Sequence, residues 1–379
     1  MDPKKINNRA TKVPVLETGE YDLKDPATTS KSIHGLSSNS LSEFYIACRY
    51  NDIGKVKKLV NIVSVEEMNR LEGSGTTALH VACYYGHVEV VRLLLQVHGL
   101  SRTMLNKYGC LAYDETANAE IKELFKTYPG SDRFVANSGK VEWLLVTPTV
   151  RETATHRHHI LEEIGTKRSF TALTEKILEY YLEKYMRDIK GYNVIKSYFE
   201  EAITINDPTL LLKAYTAETG FYTRLNVHLA GNADEAKEER MSYVGIISYN
   251  PAFEKYSFIG IVFRGMRITE EDLAEYSVKS QIMTKSFLST SKDVCVANRF
   301  AFKQNEQRNI DGKEVKFSCI CTYKVQNPRT ALNIADISLY PYEKEVLIIP
   351  YSVFTVISIT KPEGEQQSVR INLEELIQN

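Results

Sequence analysis

The chain has 379 residues, with 47 lysine and arginine residues against 48 aspartate and glutamate residues, and a formal net charge of -1. Apolar residues make up 43 % and charged residues 25 %, which are ordinary fractions for a folded protein, and the length predicts two or three domains. This apolar content excludes disorder over the whole chain. No apolar run approaches about 18 residues, so we expect no membrane span. The balanced charge argues against a nucleic-acid partner.

Both ends of the chain are polar. Residues 1–40 show no helical period and are predicted to be a flexible tail, and residues 363–379 are predicted to be a C-terminal tail. The first residues lack the apolar core of a secretory signal. Six cysteines are too few for a disulfide scaffold in a chain of this length. These features predict a cytoplasmic protein with reduced thiols.

A helical repeat is predicted over residues 41–127. Its clearest copy, residues 75–95, reads GTTALHVACYYGHVEVVRLLL and resembles an ankyrin repeat. Thr77 can cap the first helix, and Gly86 can end it in a tight turn. The apolar residues of the second helix recur at helical spacing, which predicts a buried stripe.

Two degenerate copies flank the clear one. Ala47 and Cys48 precede Ala82 and Cys83 by 35 residues, which is close to the ankyrin period of about 33. A further copy follows over residues 109–125. Three copies are about the minimum for a stable all-α stack, so we expect the outer two to be caps.

Residues 128–164 are predicted to be a linker, with a strand over 141–146, and whether they belong to the following domain is left open. Three histidines, His156, His158 and His159, crowd this stretch. A zinc site is one interpretation, but no cysteine pair or fourth ligand at zinc spacing lies nearby. A solvated linker is the simpler prediction, and the role of the histidines stays open.

From residue 171 the apolar period becomes helical, and after Tyr243 it changes to that of strands. The predicted helices cover 171–185, 192–204, 210–215 and 221–229. The predicted strands cover 257–264, 286–290, 315–325, 343–349 and 353–359. Helices followed by strands, without alternation between them, indicate an α+β domain. Cys319 and Cys321 share one face of the clearest strand, where burial is favoured over a redox or metal pair.

Three short motifs lie near the ends of the predicted strands. They are Phe263-Arg264-Gly265, Ser289-Thr290-Ser291 and Glu343-Lys344-Glu345. In this order they resemble the Arg/Ser/Glu group of mono-ADP-ribosyltransferases, and residues 215–229 resemble the segment upstream of the arginine in the animal arginine-specific enzymes. One departure is Ala230, where that family has a basic residue.

The resemblance predicts an ADP-ribosyltransferase domain over residues 165–362, with a helical subdomain and a β-sandwich core, after the ankyrin stack. It implies that NAD is a substrate, that no metal is needed, and that Arg264, Ser289 and Glu345 are catalytic. Cleavage of the N-glycosidic bond of NAD builds positive charge on the ribose, so a carboxylate must stabilise the transition state more than the ground state. Glu345 is the candidate, and the resemblance implies that it also binds the ribose 2′-hydroxyl.

The other expected NAD-binding residues flank that carboxylate. Arg264 offers a fork of donors for the pyrophosphate or the nicotinamide ribose. Ser289 offers a hydroxyl that orients Glu345 or the ribose. Gly265 has no side chain, so a ligand can approach its backbone. Phe300, on a predicted helix over 294–302, is expected to stack on the nicotinamide, with Phe302 as its rival.

Glu343 is expected to orient the acceptor arginine. Two positions on a strand would place Glu343 and Glu345 on one face, about 6.6 Å apart, with room for a nucleophile between them. Separated carboxylates predict inversion at the anomeric carbon, by analogy with inverting glycosidases. Glu343 can pair with a guanidinium, and the resemblance ties Glu-x-Glu to arginine acceptors. We therefore expect ADP-ribose transfer to a protein substrate with an exposed arginine, and recruitment of a protein ligand by the ankyrin repeats.

Two other functions stay open at this point. One is an NAD glycohydrolase on the same site, and the other is a non-catalytic ankyrin scaffold with a degenerate transferase domain. Each motif taken alone also has a structural explanation: a strand end at Arg264, a helix cap or polar edge at 289–291, and the solvated face of a strand at 343–345. Their joint occurrence in this order favours the transferase.

Overall fold

The computed structural model describes residues 41–73, 75–128, 143–145, 148–231, 236–302, 317–361 and 368–377. These residues belong to one compact unit that begins at Leu41. The tail predicted over residues 1–40 lies outside the described part of the chain, and its state stays a prediction.

The first part of the unit is helical. Its helices are α1 (Glu43–Arg49), α2 (Ile53–Leu59), α3 (Val65–Met68), α4 (Ala78–Tyr84), α5 (Val88–Leu95) and α6 (Ala119–Thr127). Thr77 caps α4 in a capping box with His80, as its position in the repeat predicts. Gly86 has a φ of 72°, a left-handed value that favours glycine in the turn. Val91, Leu94 and Leu95 are buried and form the predicted stripe of α5.

A second group of helices precedes most of the sheet. It comprises α7 (Pro148–Lys167), α8 (Phe170–Lys176), a π-helical turn (Ile177–Leu182), α9 (Glu183–Tyr185), α10 (Tyr192–Ile205), α11 (Thr209–Thr216), α12 (Phe221–Ala230) and α13 (Lys237–Tyr249). The helices expected from residue 171 to 229 are therefore present. A 3₁₀ turn, Pro251–Tyr256, leads into the strands.

Two of these helices differ from the sequence-based expectation. Residues 153–160, predicted as a solvated linker, lie within α7, which packs against α13. Gly165 and Gly245 allow this close approach, because a Cβ on either would meet the other helix within 3 Å. Strand character was expected after Tyr243, but α13 continues to Tyr249. Residues 240–248 are all buried, so α13 shows no polar face from which a helical period could be seen.

Nine strands are hydrogen-bonded in the described part of the chain, in the order β1-β3-β8-β9-β5-β2-β4-β7-β6. Their ranges are β1 (Trp143–Leu145), β2 (Gly260–Ile268), β3 (Gln281–Thr284), β4 (Leu288–Ser291), β5 (Phe317–Val325), β6 (Ala331–Asn333), β7 (Glu345–Ile348), β8 (Val353–Thr360) and β9 (Val369–Glu375). Neighbours are antiparallel except β5 and β9. Two short helices, α14 (Glu270–Ala274) and α15 (Val294–Ala301), lie between strands.

The sheet has two halves that meet between β2 and β4. These two strands are paired at one position, Phe263 with Ser291. One apolar cluster contains residues from both halves, among them Met266 of β2 and Val346 of β7. The two halves therefore enclose a common core, as the expected β-sandwich requires, and the α+β class is confirmed. The motifs that contain Arg264 and Ser289 lie on β2 and β4, the two strands at the junction of these halves.

Strand β9 corrects the prediction of a C-terminal tail over residues 363–379. It pairs in parallel with β5 and antiparallel with β8, which places it inside the sheet. Val369, Ile371 and Leu373 are buried and alternate with more exposed residues. The period-2 signal was therefore present in the sequence, but the polar residues around it obscured it.

Candidate active site

Three adjacent strands, β2, β4 and β7, bring the predicted catalytic residues together. Arg264 lies on β2, Ser289 on β4 and Glu345 at the first position of β7. All three are buried, with exposed fractions of 3 %, 2 % and 0 %. Residues 264 and 345 are 81 positions apart in the chain, but the strand order places β2, β4 and β7 side by side.

The Arg264 guanidinium contacts β4 directly. Its Nη1 donates a hydrogen bond of 2.7 Å to the carbonyl oxygen of Ser289. Because side chains two positions apart point to the same side of a strand, Arg264 shares one face of β2 with Val262 and Met266, which belong to the apolar core. A buried guanidinium is costly unless it is paired, so its position is fixed by specific contacts rather than by solvent. Such a held cation suits the recognition of a phosphate or a ribose.

The Ser-Thr-Ser motif fastens β4 to β7. Thr290 Oγ1 donates to the carbonyl of Val346 at 2.6 Å, and Ser291 Oγ donates to the carbonyl of Glu343 at 2.7 Å. Ser291 lies opposite Glu345 in the register, whereas Ser289 lies opposite Leu347. The side chains of Thr290 and Ser291 therefore join the two strands, and Ser291 is the one that holds the acidic turn.

The expected geometry of Glu343 is wrong. Glu343 ends a 3₁₀ turn, Pro341–Glu343, and Lys344 has a φ of 48°, so the pair of glutamates does not occupy two positions of one strand. The two carboxylates therefore share no strand face. Glu343 and Glu345 are nevertheless close in sequence and both buried, at 1 % and 0 % exposure. Strand β7 begins two residues later than expected because the left-handed Lys344 interrupts the extended backbone.

The Lys344 side chain lies at the surface and connects the acidic turn to helix α15. Its Nζ lies 3.2 Å from Asp293 Oδ2, and Asp293 is the N-cap of α15. Burial raises the pKa of Asp293, but hydrogen bonds from the Cys295 amide and from Lys344 outweigh it and lower the pKa below its ordinary value. The acidic turn is therefore joined to both β4 and α15.

Sequence reasoning missed one residue that holds Glu345, Ser338, and one that anchors the loop of Ser338, Thr216. Ser338 Oγ donates to Glu345 Oε2 at 3.1 Å, and Ser338 is itself buried. The hydroxyl of Thr216, at the end of α11, accepts the amide of Leu339 at 3.2 Å. Ser338 lies seven positions before the carboxylate it contacts. No motif marks it, so only the path of the loop could reveal it.

The structure requires glycine at position 265 for a reason other than the expected one. A Cβ at Gly265 would collide with the carbonyl oxygen of Ala297 and come within 2.8 Å of the Ala301 amide. The open side of the glycine is therefore occupied by α15, not by space for a ligand. The residue allows a helix to lie directly on β2, and its predicted contact with NAD stays a prediction.

The two candidate aromatics lie in different environments. Phe300 is buried on α15 and packs with Val296. Phe302 follows the helix and is 39 % exposed. Since a stacking residue must present a ring face to its ligand, Phe300 would have to uncover its ring to serve this role. The assignment to Phe300 stays a prediction.

The histidine cluster is partly structural. His158 is buried; its Nε2 donates to the carbonyl of Tyr351 at 3.2 Å, and its Nδ1 accepts from the Tyr249 hydroxyl at 2.9 Å. Burial lowers the pKa of His158, so it is neutral in the fold. Within the described ranges, no group of three or more His, Cys, Asp or Glu side chains is arranged to hold a metal ion.

Cys319 and Cys321 both lie buried on β5, as expected, with Sγ atoms 4.0 Å apart as free thiols. None of the helices in the described segments combines the length and the apolar character needed to cross a membrane.

The comparison with known families identifies both regions. Residues 59–115 match the model for ankyrin repeats (many copies), and residues 179–379 match the model for NAD:arginine ADP-ribosyltransferase. The second match covers just over half of the 379 residues. The chain belongs to the NAD:arginine ADP-ribosyltransferase family and carries ankyrin repeats before its transferase domain.

Among curated proteins, the chain is similar to the ankyrin repeat-containing protein BDA1 of Arabidopsis thaliana. The two are 31 % identical over 113 residues, which are 28 % of this chain and 26 % of that protein. The match therefore spans about a quarter of the relative's length, and no activity of that protein is inferred for this chain from it.

Several solved ADP-ribosyltransferases are similar in fold. The ADP-ribosyltransferase Vis, in complex with an inhibitor, is 20 % identical with a TM-score of 0.37, over 55 % of this chain and 86 % of Vis. Exoenzyme S of Pseudomonas aeruginosa is 20 % identical with a TM-score of 0.32, over 57 % and 88 % of the two chains. HopU1 of Pseudomonas syringae is 15 % identical with a TM-score of 0.34, over 62 % and 99 %. The family assignment rests on the sequence model and not on these scores.

Proposed function

We propose that this protein is a mono-ADP-ribosyltransferase that cleaves NAD and transfers ADP-ribose to arginine side chains of a protein, releasing nicotinamide. The observation that carries the proposal is the placement of Arg264, Ser289 and Glu345 on three adjacent strands, with Arg264 hydrogen-bonded to the Ser289 carbonyl. Family membership supports NAD as the substrate. We further propose that the protein acts in the cytoplasm and that its ankyrin repeats bind a protein partner.

The residues of the chain fit NAD through their charges. The guanidinium of Arg264, held by the Ser289 carbonyl, supplies a fixed cation for the pyrophosphate or the nicotinamide ribose. The carboxylate of Glu345 supplies the negative charge that stabilises the ribose as its bond to nicotinamide breaks. Because the Ser338 hydroxyl fixes one oxygen of Glu345, this charge is aimed before the reaction starts.

Glu343 is the acceptor-binding group in this proposal. A guanidinium is a poor nucleophile because it is protonated at neutral pH. A paired carboxylate orients it and receives a proton as the new bond from its nitrogen to the ribose forms. Attack from the side opposite the departing nicotinamide inverts the anomeric carbon. The acceptor role of Glu343 is supported by the division of two tasks between two acids: Glu345 stabilises the ribose cation and Glu343 binds the acceptor. A common strand face no longer supports it.

One observation favours hydrolysis as the second candidate. Glu343 is 1 % exposed, so water reaches the site more easily than an arginine that belongs to a folded protein. An NAD glycohydrolase would use Arg264 and Glu345 in the same roles and would not need Glu343.

A pair of matched variants tests the proposal and separates the two candidates. Nicotinamide release and labelling of an arginine-rich protein are measured with labelled NAD, followed by hydroxylamine treatment to identify the arginine linkage. Glu345→Gln should lower both rates by about 10²-fold to 10³-fold, since it removes the charge that stabilises the transition state. Glu343→Gln should lower protein labelling by about 30-fold or more, as expected when a charged partner is removed, and retain nicotinamide release.

The controls distinguish catalysis from folding. Both variants keep the size of the side chain, and thermal unfolding should confirm that each is folded. Equal labelling by wild type and Glu343→Gln would refute the acceptor assignment. Nicotinamide release without any protein labelling by the wild type would favour the glycohydrolase.

A further inference from the structure

The third ankyrin repeat contacts the turn that carries Glu343. The ring of Tyr342 lies 5.1 Å from that of Tyr113 and 5.8 Å from that of Phe125, centroid to centroid. Tyr113 and Phe125 meet edge to face at 5.5 Å, and Tyr340 lies 5.9 Å from Tyr342. These four residues, Tyr113, Phe125, Tyr340 and Tyr342, form what we call the aromatic clamp. It joins the repeat to the residue next to Glu343.

A second contact reaches the same loop from another side. The Arg102 amide donates to the Glu218 carboxylate at 3.0 Å, and the Glu218 amide donates to Thr103 Oγ1 at 3.3 Å. Glu218 follows Thr216, whose hydroxyl accepts the Leu339 amide. The residues before α12 therefore connect the ankyrin region to the loop that contains Ser338. Both contacts converge on residues 338–343.

The position of the turn limits access to the acceptor carboxylate. Glu343 and Glu345 are both buried, and the repeat packs over the neighbouring Tyr342. An arginine on another protein must bring its own backbone to within a side-chain length of Glu343. Water has no such requirement. The contact between the repeat and the turn therefore opposes transfer more strongly than hydrolysis.

We propose that the third ankyrin repeat is an autoinhibitory lid over the acceptor side of the transferase site. The aromatic clamp keeps the turn 341–344 closed, and release of the clamp uncovers Glu343 for the arginine of the protein substrate. This inference rests on the proposed function, because it assigns the regulation of that same site. It makes the ankyrin region part of the control of the enzyme as well as a place for recruitment.

The test uses tyrosine variants of one repeat in the full chain. Tyr113→Ala removes a ring of the clamp, whereas Tyr108→Ala removes a tyrosine that is 54 % exposed in the same repeat. Tyr113→Phe keeps the ring. We expect Tyr113→Ala to raise kcat/KM for labelling an arginine-rich protein by about fivefold or more, a typical size for allosteric coupling. Nicotinamide release to water should change less than twofold, and the two other variants should resemble wild type.

Hydrogen exchange gives a readout that does not depend on turnover. The amides of residues 338–346 should exchange faster in Tyr113→Ala than in wild type or Tyr108→Ala, because the clamp no longer holds the turn. Thr103→Val removes one of the two hydrogen bonds of the second contact, the one from the Glu218 amide, and should act in the same direction with a smaller effect. Thermal unfolding shows whether each variant retains its ankyrin helices.

The outcomes are distinct. Unchanged or slower protein labelling by a folded Tyr113→Ala variant overturns the lid. If wild type and variants all leave NAD intact, the proposed function fails, and the exchange rates alone decide whether the repeat holds the turn. Unchanged exchange at residues 338–346 then overturns the inference, and faster exchange supports the lid as a structural device.

Discussion

The ankyrin region and the transferase region are built from contacts of different range. In the ankyrin region Thr77 caps its own helix through His80, three positions away, and the apolar stripe of α5 recurs within one turn. In the transferase region Arg264 reaches the carbonyl of Ser289, 25 positions away, and Thr290 reaches Val346, 56 positions away. Local signals therefore define the repeats, whereas the site exists only when distant strands pair.

Buried polar groups show the same contrast. His80 donates from Nε2 to the carbonyl of Cys110 in the next repeat, which is a contact between neighbours in a stack. Glu345 is held by Ser338 of a loop that is itself anchored on α11. A stack tolerates change in one repeat, but a site assembled from a sheet, a loop and a helix depends on all three.

The largest effect should come from a methyl group at a glycine. Gly265→Ala forces the new Cβ against the backbone of α15, so we expect the free energy of unfolding to fall by about 3 kcal/mol or more. The matched variant is Gly109→Ala in the ankyrin region, where the Cβ meets nothing within 4 Å but φ is 74°. Its cost should be about 1–2 kcal/mol, from backbone conformation alone. Urea unfolding measures both, and equal losses would contradict the close approach of α15.

A smaller effect should follow from loss of the Ser338 hydroxyl. Ser338→Ala leaves Glu345 Oε2 without this donor, and hydrogen bonds to charged groups contribute about 1.5–3 kcal/mol. We expect kcat for nicotinamide release to fall by about tenfold, with KM for NAD changed less, because the bond aims the carboxylate rather than binds the ligand.

Ser338→Thr keeps the hydroxyl and is the control for that variant. It should recover most of the rate if positioning is the role of Ser338. Failure of the threonine variant to recover the rate, in a protein that unfolds normally, would assign Ser338 to packing instead.

The smallest effects should appear on acidification. Burial lowers the pKa of His80 in the ankyrin region and of His158 in the transferase region. In each case the unfolded chain binds the proton more tightly than the folded chain does, so stability falls as pH decreases below about 6.5, the ordinary value for histidine. His158→Gln and His80→Gln should each weaken this acid dependence, measured as the midpoint of thermal unfolding between pH 8 and pH 5.

These two histidine variants also sharpen the comparison of regions. If the ankyrin and transferase regions unfold in separate transitions, each variant should change the pH dependence of one transition. A common change in a single transition would indicate that the contacts between the regions make them unfold together. An acid dependence that neither variant alters would exclude both histidines as its source.

Sequence patterns predicted much of the fold but not its interruptions. The strands β2, β4, β5, β7 and β8 were predicted within a few residues from runs of residues that favour strands, with the clearest alternation in β5. The end of helix α13 was predicted too early, because residues 240–248 are buried all round, and β9 was missed, because polar residues surround it. Glu343 was placed on a strand because no residue type announces that Lys344 adopts a left-handed conformation.

For the site, too, some features could be predicted from sequence motifs and others required the tertiary structure. The order of the motifs, through its resemblance to the Arg/Ser/Glu transferases, predicted Arg264, Ser289 and Glu345 as the catalytic residues, and this role stays a prediction. The roles of Ser338 and Thr216, and the reason for Gly265, needed the path of a loop and the position of a helix.

The amino-acid sequence by itself determined the two modules, their order and the charged groups available for chemistry, since periodicity and short motifs are properties of neighbouring residues. The tertiary structure alone decided how Glu343 is presented, which hydroxyl holds Glu345, and that an ankyrin repeat lies against the acidic turn. These are relations between groups far apart in the chain, and they are fixed by strand register and by packing at the contact of the two modules.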